Sequence, residues 1–139
     1  MPSPGAPESR LVLVVDDDAD FCIAMRHLLG ASGFRVILAS DGLDALNVLK
    51  RYDVSIILTD LFMPRMDGIE LIRHVRKGRV PMPAIIATTG NAHLAAEATA
   101  IAAAMLGAQA ALLKPFTRED LLSVIDALSE GGGLVPTGS

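Results

Sequence analysis

Three charged signals follow three short apolar runs in this chain. Asp16-Asp17-Asp18 follows Leu11-Val12-Leu13-Val14-Val15, Asp60 follows Ile56-Ile57-Leu58-Thr59, and Lys114 follows Ala110-Ala111-Leu112-Leu113. If the runs are strands of one parallel sheet, the residues at their ends meet along one edge, where such sheets bind ligands. Carboxylates gathered there repel one another unless a cation sits among them. Oxygen-rich sites of this kind suit a hard divalent metal, and Mg²⁺ takes one or two carboxylates and keeps waters. The spacing therefore predicts a metal site with a spare carboxylate and a lysine beside it.

The elements that must position these groups alternate five times. Strand patterns cover 11–15, 34–39, 54–59, 84–88 and 110–113; helix patterns cover 19–31, 42–50, 67–77, 92–106 and 118–129. Phe21, Met25, Leu28 and Leu29 recur at helical spacing, and Gly30 and Gly33 bracket that helix's end. Asp41 and Asp67 read as N-caps, and Thr117 with Asp120 as a capping box. Alternating β and α units predict an α/β sheet covered on both faces.

A chain of 139 residues is one domain by length, and one of this size can bury an aliphatic core. We expect a disordered leader over 1–9, one domain over 10–130 and a flexible tail over 131–139. The tail's Leu134-Val135-Pro136-Thr137-Gly138-Ser139 resembles a protease-tag remnant and is set aside. A net charge of −4 without a basic block argues against direct nucleic-acid binding. No stretch is apolar enough to span a bilayer, and the single cysteine, Cys22, excludes an internal disulfide. A cytoplasmic location is expected.

Four motifs in order give a sharper reading. Val14-Val15-Asp16-Asp17, Thr59-Asp60-Leu61-Phe62-Met63-Pro64-Arg65-Met66-Asp67-Gly68, Ile85-Ile86-Ala87-Thr88-Thr89-Gly90 and Lys114-Pro115-Phe116 together resemble the response-regulator receiver domain of two-component signalling, the chemotaxis-regulator type. The likeness spans about residues 10 to 129. It implies a flavodoxin-like (βα)5 doubly wound parallel sheet of strand order 2-1-3-4-5. It also implies a signalling switch that catalyses only its own phosphoryl acceptance and hydrolysis. A sensor histidine kinase or histidine phosphotransfer protein supplies the phosphoryl group, and an output partner that the sequence does not name reads it.

The roles the resemblance implies are specific. Asp60 is the phosphoacceptor. Asp17 is a direct ligand of Mg²⁺ (or Mn²⁺), Asp16 acts directly or through water, and Asp60 and the Phe62 backbone carbonyl complete the protein ligands. Lys114 pairs with the acids at rest and with the phosphoryl group afterwards, across a cis Lys114–Pro115 bond. Thr89 offers the hydroxyl, with Thr88 as its rival. A phosphorylation-independent interaction module is the alternative, but such a module need not keep all these residues. Asp18 and Asp20 read as a helix start, Cys22 as a small core residue, and His27, His74 and His93 as surface residues. Arg73, Arg76, Lys77 and Arg79 read as a solvated helix end. Ala111 departs from the aromatic residue common three positions before the lysine, so no ring flip there can carry a signal.

Overall fold

The computed structural model describes residues 10–63, 65–78, 82–89 and 107–131. Five strands, β1 (Leu11–Val15), β2 (Arg35–Ala39), β3 (Ile56–Asp60), β4 (Ala84–Thr89) and β5 (Ala110–Leu113), form one parallel sheet of order β2-β1-β3-β4-β5. Four described helices accompany it: α1 (Ala19–Ala31), α2 (Gly42–Arg51), α3 (Gly68–Gly78) and α4 (Arg118–Gly131). The expected fold and strand order are those observed. The helix pattern over 92–106 lies outside the described residues, as do His93, Arg79, the leader and most of the tail.

Strand alternation divides the core into two layers. Leu11, Leu13 and Val15 face one way, with Ile57 and Ile85, and pack against Ala45 and Leu49 of α2 and Leu71, Ile72 and Val75 of α3. Val12 and Val14 face the other way, with Leu58 and Ile86, and pack against Met25 and Leu29 of α1 and Leu121 and Ile125 of α4. Burial on both faces explains why the central strands read as unbroken apolar runs.

Helix starts follow local chemistry. Asp18 accepts from the N–H groups of Asp20 and Phe21 and caps α1. Asp41 caps α2 through the Asp44 N–H, and Asp67 accepts from Glu70 N–H at the start of α3. Thr117 and Asp120 exchange side-chain-to-backbone bonds of 3.0 Å each before α4, a reciprocal capping box.

Both ends of β3 differ from the expected 54–59. Pairing of β3 with β1 begins at Val12↔Ile56, not at residue 54, because Ser55 N–H is the group that bonds Leu11 O. At its other end β3 includes Asp60, which pairs with Thr88 of β4. The carboxylate thus sits on the last rung of the sheet, on a rigid strand.

Candidate functional site

The ends of β1, β3 and β5 meet as the spacing predicts. A cleft of about 330 Å³ opens at this edge, lined by Asp16, Asp17, Asp18, Asp60, Phe62, Thr89 and Lys114. Carboxylate oxygens of Asp16, Asp17 and Asp60 lie within 4.8 Å of one another. The Asp16 N–H bonds Ala39 O, and the Lys114 N–H bonds Thr89 O at 2.8 Å, so neighbouring strands fix both backbones. At Gly68 a Cβ would collide with the Asp60 carbonyl oxygen, and only glycine permits this approach of α3 to β3.

The three acids are not equivalent. Asp16 is buried and engaged at both oxygens: Oδ1 accepts from Asp18 N–H at 2.9 Å and Oδ2 from Lys114 Nζ at 2.6 Å. Asp17 is exposed. Asp60 is half-buried; its Oδ1 accepts from Phe62 N–H at 3.3 Å, and its Oδ2 lies 3.8 Å from Lys114 Nζ. Burial pushes the Asp60 carboxyl above the ordinary value of 3.8; the Lys114 charge opposes that rise, and Asp16 adds to it. Three carboxylates face one ammonium, so the cluster is short of positive charge even with the lysine in place. Three carboxylates at this spacing are the oxygen donors that a hard divalent cation takes, and such a cation would relieve that imbalance.

Lys114 precedes a cis bond to Pro115, as expected. Its side chain is 19% exposed, and its ammonium lies 4.1 Å from the centroid of the Phe21 ring. Phe21 meets Phe116 edge to face, with centroids 6.0 Å apart and planes at 84°. Sequence spacing marks Phe21 only as a core position of α1, because its partners come from the far end of the chain.

The two threonines separate. Thr89 lines the cleft, whereas Thr88 is the register partner of Asp60 with its hydroxyl buried and without a hydrogen-bond partner. The Phe62 side chain is 47% exposed and contributes to the cleft wall. Cys22 donates to Asp16 O at 3.3 Å, and burial, with Asp16 nearby, pushes its thiol up to about 11. It stays protonated near neutral pH and serves packing. His27 and His74 are exposed and away from the cleft, as are Arg73, Arg76 and Lys77. Ala111 packs against the core layer beneath α2 and α3.

A second contact, absent from the sequence reading, braces the loop after Asp60. Arg65, at φ 63°, pairs with the buried carboxylate of Asp41. Gly42 N–H bonds Met66 O at 2.8 Å beside it. The start of α2 thereby holds the loop that carries Phe62.

Comparison with known proteins agrees with this geometry. The family model for the response regulator receiver domain matches residues 12–126. Response regulator MprA of Mycobacterium leprae is 34% identical over 117 residues, covering 84% of this chain and 50% of that protein. Transcriptional regulatory protein ZraR of Klebsiella oxytoca is 34% identical over 119 residues, covering 85% and 26%. The chain spans about half the length of MprA and about a quarter of ZraR. Among solved structures, a CheY-like receiver domain protein from Methanospirillum hungatei superposes with a TM-score of 0.77 at 27% identity, covering 87% of this chain and 94% of that one. Chemotaxis protein CheY4 of Vibrio cholerae gives 0.75 at 30% identity, covering 84% and 96%. With the fold, the edge cleft and these likenesses in agreement, the chain belongs to the response-regulator receiver family.

Proposed function

We propose that this domain takes a phosphoryl group from a phosphohistidine partner, a sensor histidine kinase or phosphotransfer protein, onto Asp60. The observation that carries the proposal is the juxtaposition of Asp60 with two further carboxylates and Lys114 in one open cleft. An Asp60 oxygen attacks phosphorus, the P–N bond to the donor imidazole breaks, and the electron pair leaves on the imidazole nitrogen. The protein's task is to position the phosphoryl group in line and to neutralise its oxygens.

Asp17, Asp16 (directly or through water), Asp60 and the Phe62 carbonyl would hold Mg²⁺ or Mn²⁺. When bound, the ion supplies charge for phosphoryl oxygens. Asp17, exposed and outside the Lys114 pair, is suited to direct ligation; Asp16, engaged on both sides, is suited to an outer role. Lys114 leaves Asp16 for a phosphoryl oxygen as a point charge. Thr89, on the cleft wall, gives its hydroxyl to another. Among the described residues no helix is long and apolar enough to cross a membrane.

Incubation with acetyl phosphate and Mg²⁺, followed by intact mass measurement, tests the reading. One added phosphoryl group is expected, absent in Asp60→Asn and absent with excess chelator. A mass gain that survives either change would overturn it. Thr89→Ala and Thr88→Ala, compared for the rate of that gain, test the hydroxyl: the Thr89 variant should be the slower.

A further inference from the structure

We propose that Phe21 is the positioning residue of Lys114. The ammonium sits 4.1 Å from the ring centroid and 2.6 Å from Asp16 Oδ2, so an aromatic face and a carboxylate hold one charge between them. The ring's negative face attracts a cation without demanding one direction of approach, and the attraction strengthens where water is excluded. With the lysine side chain only 19% exposed, much of that water is gone.

The ring is itself fixed from two sides. Its edge-to-face contact with Phe116 ties it to the segment just after Lys114. Its backbone N–H bonds Asp18 Oδ1 at 3.2 Å, and Asp18 N–H bonds Asp16 Oδ1 at 2.9 Å. One short loop therefore sets the acids and the ring together. The consequence is specific to a moving lysine. The Nζ lies 3.8 Å from Asp60 Oδ2 and must shift toward that side when a phosphoryl group arrives there. An aromatic face permits this lateral shift and keeps the charge in place, whereas a second carboxylate would retain it. Phe21 touches no reacting atom and acts through Lys114.

This inference rests on phosphoryl acceptance at Asp60, and the test separates the two. Lys114 ε-methylene proton resonances, assigned by their loss in Lys114→Arg, should be shifted upfield by the ring in the wild-type protein. That shift should vanish in Phe21→Leu and persist in Phe21→Tyr. Acetyl phosphate with Mg²⁺ should phosphorylate Phe21→Leu about 2- to 30-fold more slowly, the range expected for one partly desolvated cation–aromatic contact. Phe21→Tyr should stay within about twofold of wild type, since its ring offers the same face. Ordinary lysine shifts in the wild type, or a folded Phe21→Leu that phosphorylates at the wild-type rate, would overturn the positioning role. If Phe21→Leu does not fold, the wild-type and Phe21→Tyr resonances decide it. A wild type with the upfield shift but no phosphoryl gain would instead overturn the reading of Asp60.

Discussion

Lys114 Nζ lies 2.6 Å from Asp16 Oδ2 and 3.8 Å from Asp60 Oδ2. The lysine is closer to the carboxylate that is not proposed to react. Asp60 thus keeps a half-buried charge that the lysine offsets only in part, beside a cleft through which phosphorus can approach.

This arrangement predicts a pH-dependent stability. The Asp60 carboxyl is raised in the folded protein by burial, against the pull of Lys114. The folded state then holds the proton more tightly than the unfolded chain. Its stabilising contribution is fully present below the ordinary carboxylate range and is lost as pH rises through the raised value. In chelator at pH 7, Asp60→Asn should therefore melt higher than wild type, by on the order of 1 kcal/mol or ~4 °C. The advantage should be smaller at a second, more acidic pH, because the folded wild type takes up the carboxyl proton at a higher pH than the unfolded chain does. Thermal melts at the two pH values check this. A variant that melts lower at pH 7 would mean that Lys114 outweighs burial.

Metal affinity should distinguish the two neighbouring acids. Asp17 is exposed, whereas Asp16 already accepts from Asp18 N–H and Lys114. Asp17→Asn should weaken Mg²⁺ binding about tenfold more than Asp16→Asn, the difference between a direct ligand and an outer one. Calorimetric titration of both variants measures it, and equal weakening would place both acids in the same role.

Much of this was legible in the sequence, for physical reasons. Strands buried on both faces leave unbroken apolar runs, so the sequence itself marks Asp16, Asp60 and Lys114 as strand-end residues. Caps such as Asp41, Asp67 and the Thr117–Asp120 pair were legible because they act over three residues. Contacts between distant loops were not. Nothing in local pattern joins Phe21 to Lys114 or Arg65 to Asp41, and the two-sided engagement of Asp16 depends on the loop's final shape. The pairing of Asp60 within β3 is not legible in the sequence, because register, not composition, sets that boundary.

The Arg65–Asp41 pair carries a prediction about the loop. Arg65 adopts φ 63°, a left-handed conformation that costs a non-glycine residue ~1 kcal/mol or more. Arg65→Ala keeps that cost and leaves the buried Asp41 carboxylate without the guanidinium. Arg65→Gly removes the cost and the pair together. Urea unfolding should rank Arg65→Ala about 1 kcal/mol below wild type and Arg65→Gly between them or level with wild type. An alanine variant as stable as wild type would show that the ion pair contributes nothing to the fold.

Phe62 bears on the lifetime of the phosphorylated form. Its side chain forms part of the cleft wall and offers no hydrogen bond to a water approaching the phosphorus. Slow self-dephosphorylation is expected, and Phe62→Asn should speed decay about ten- to a hundredfold at fixed Mg²⁺, as for ~1–3 kcal/mol of water positioning. Unchanged or slower decay would show that this side chain does not gate hydrolysis. Asn91, two residues after Thr89, lies outside the described residues.

The central claim is that Asp60 itself bears the phosphoryl group, and reductive trapping tests it most directly. Borohydride reduces an acyl phosphate to an alcohol, which turns a phosphorylated aspartate into homoserine. After treatment with acetyl phosphate and Mg²⁺, peptide sequencing by mass spectrometry should find homoserine at position 60 alone, and at no position when chelator is present. Homoserine at Asp16, Asp17 or Asp18, or an equal yield without Mg²⁺, would contradict the account.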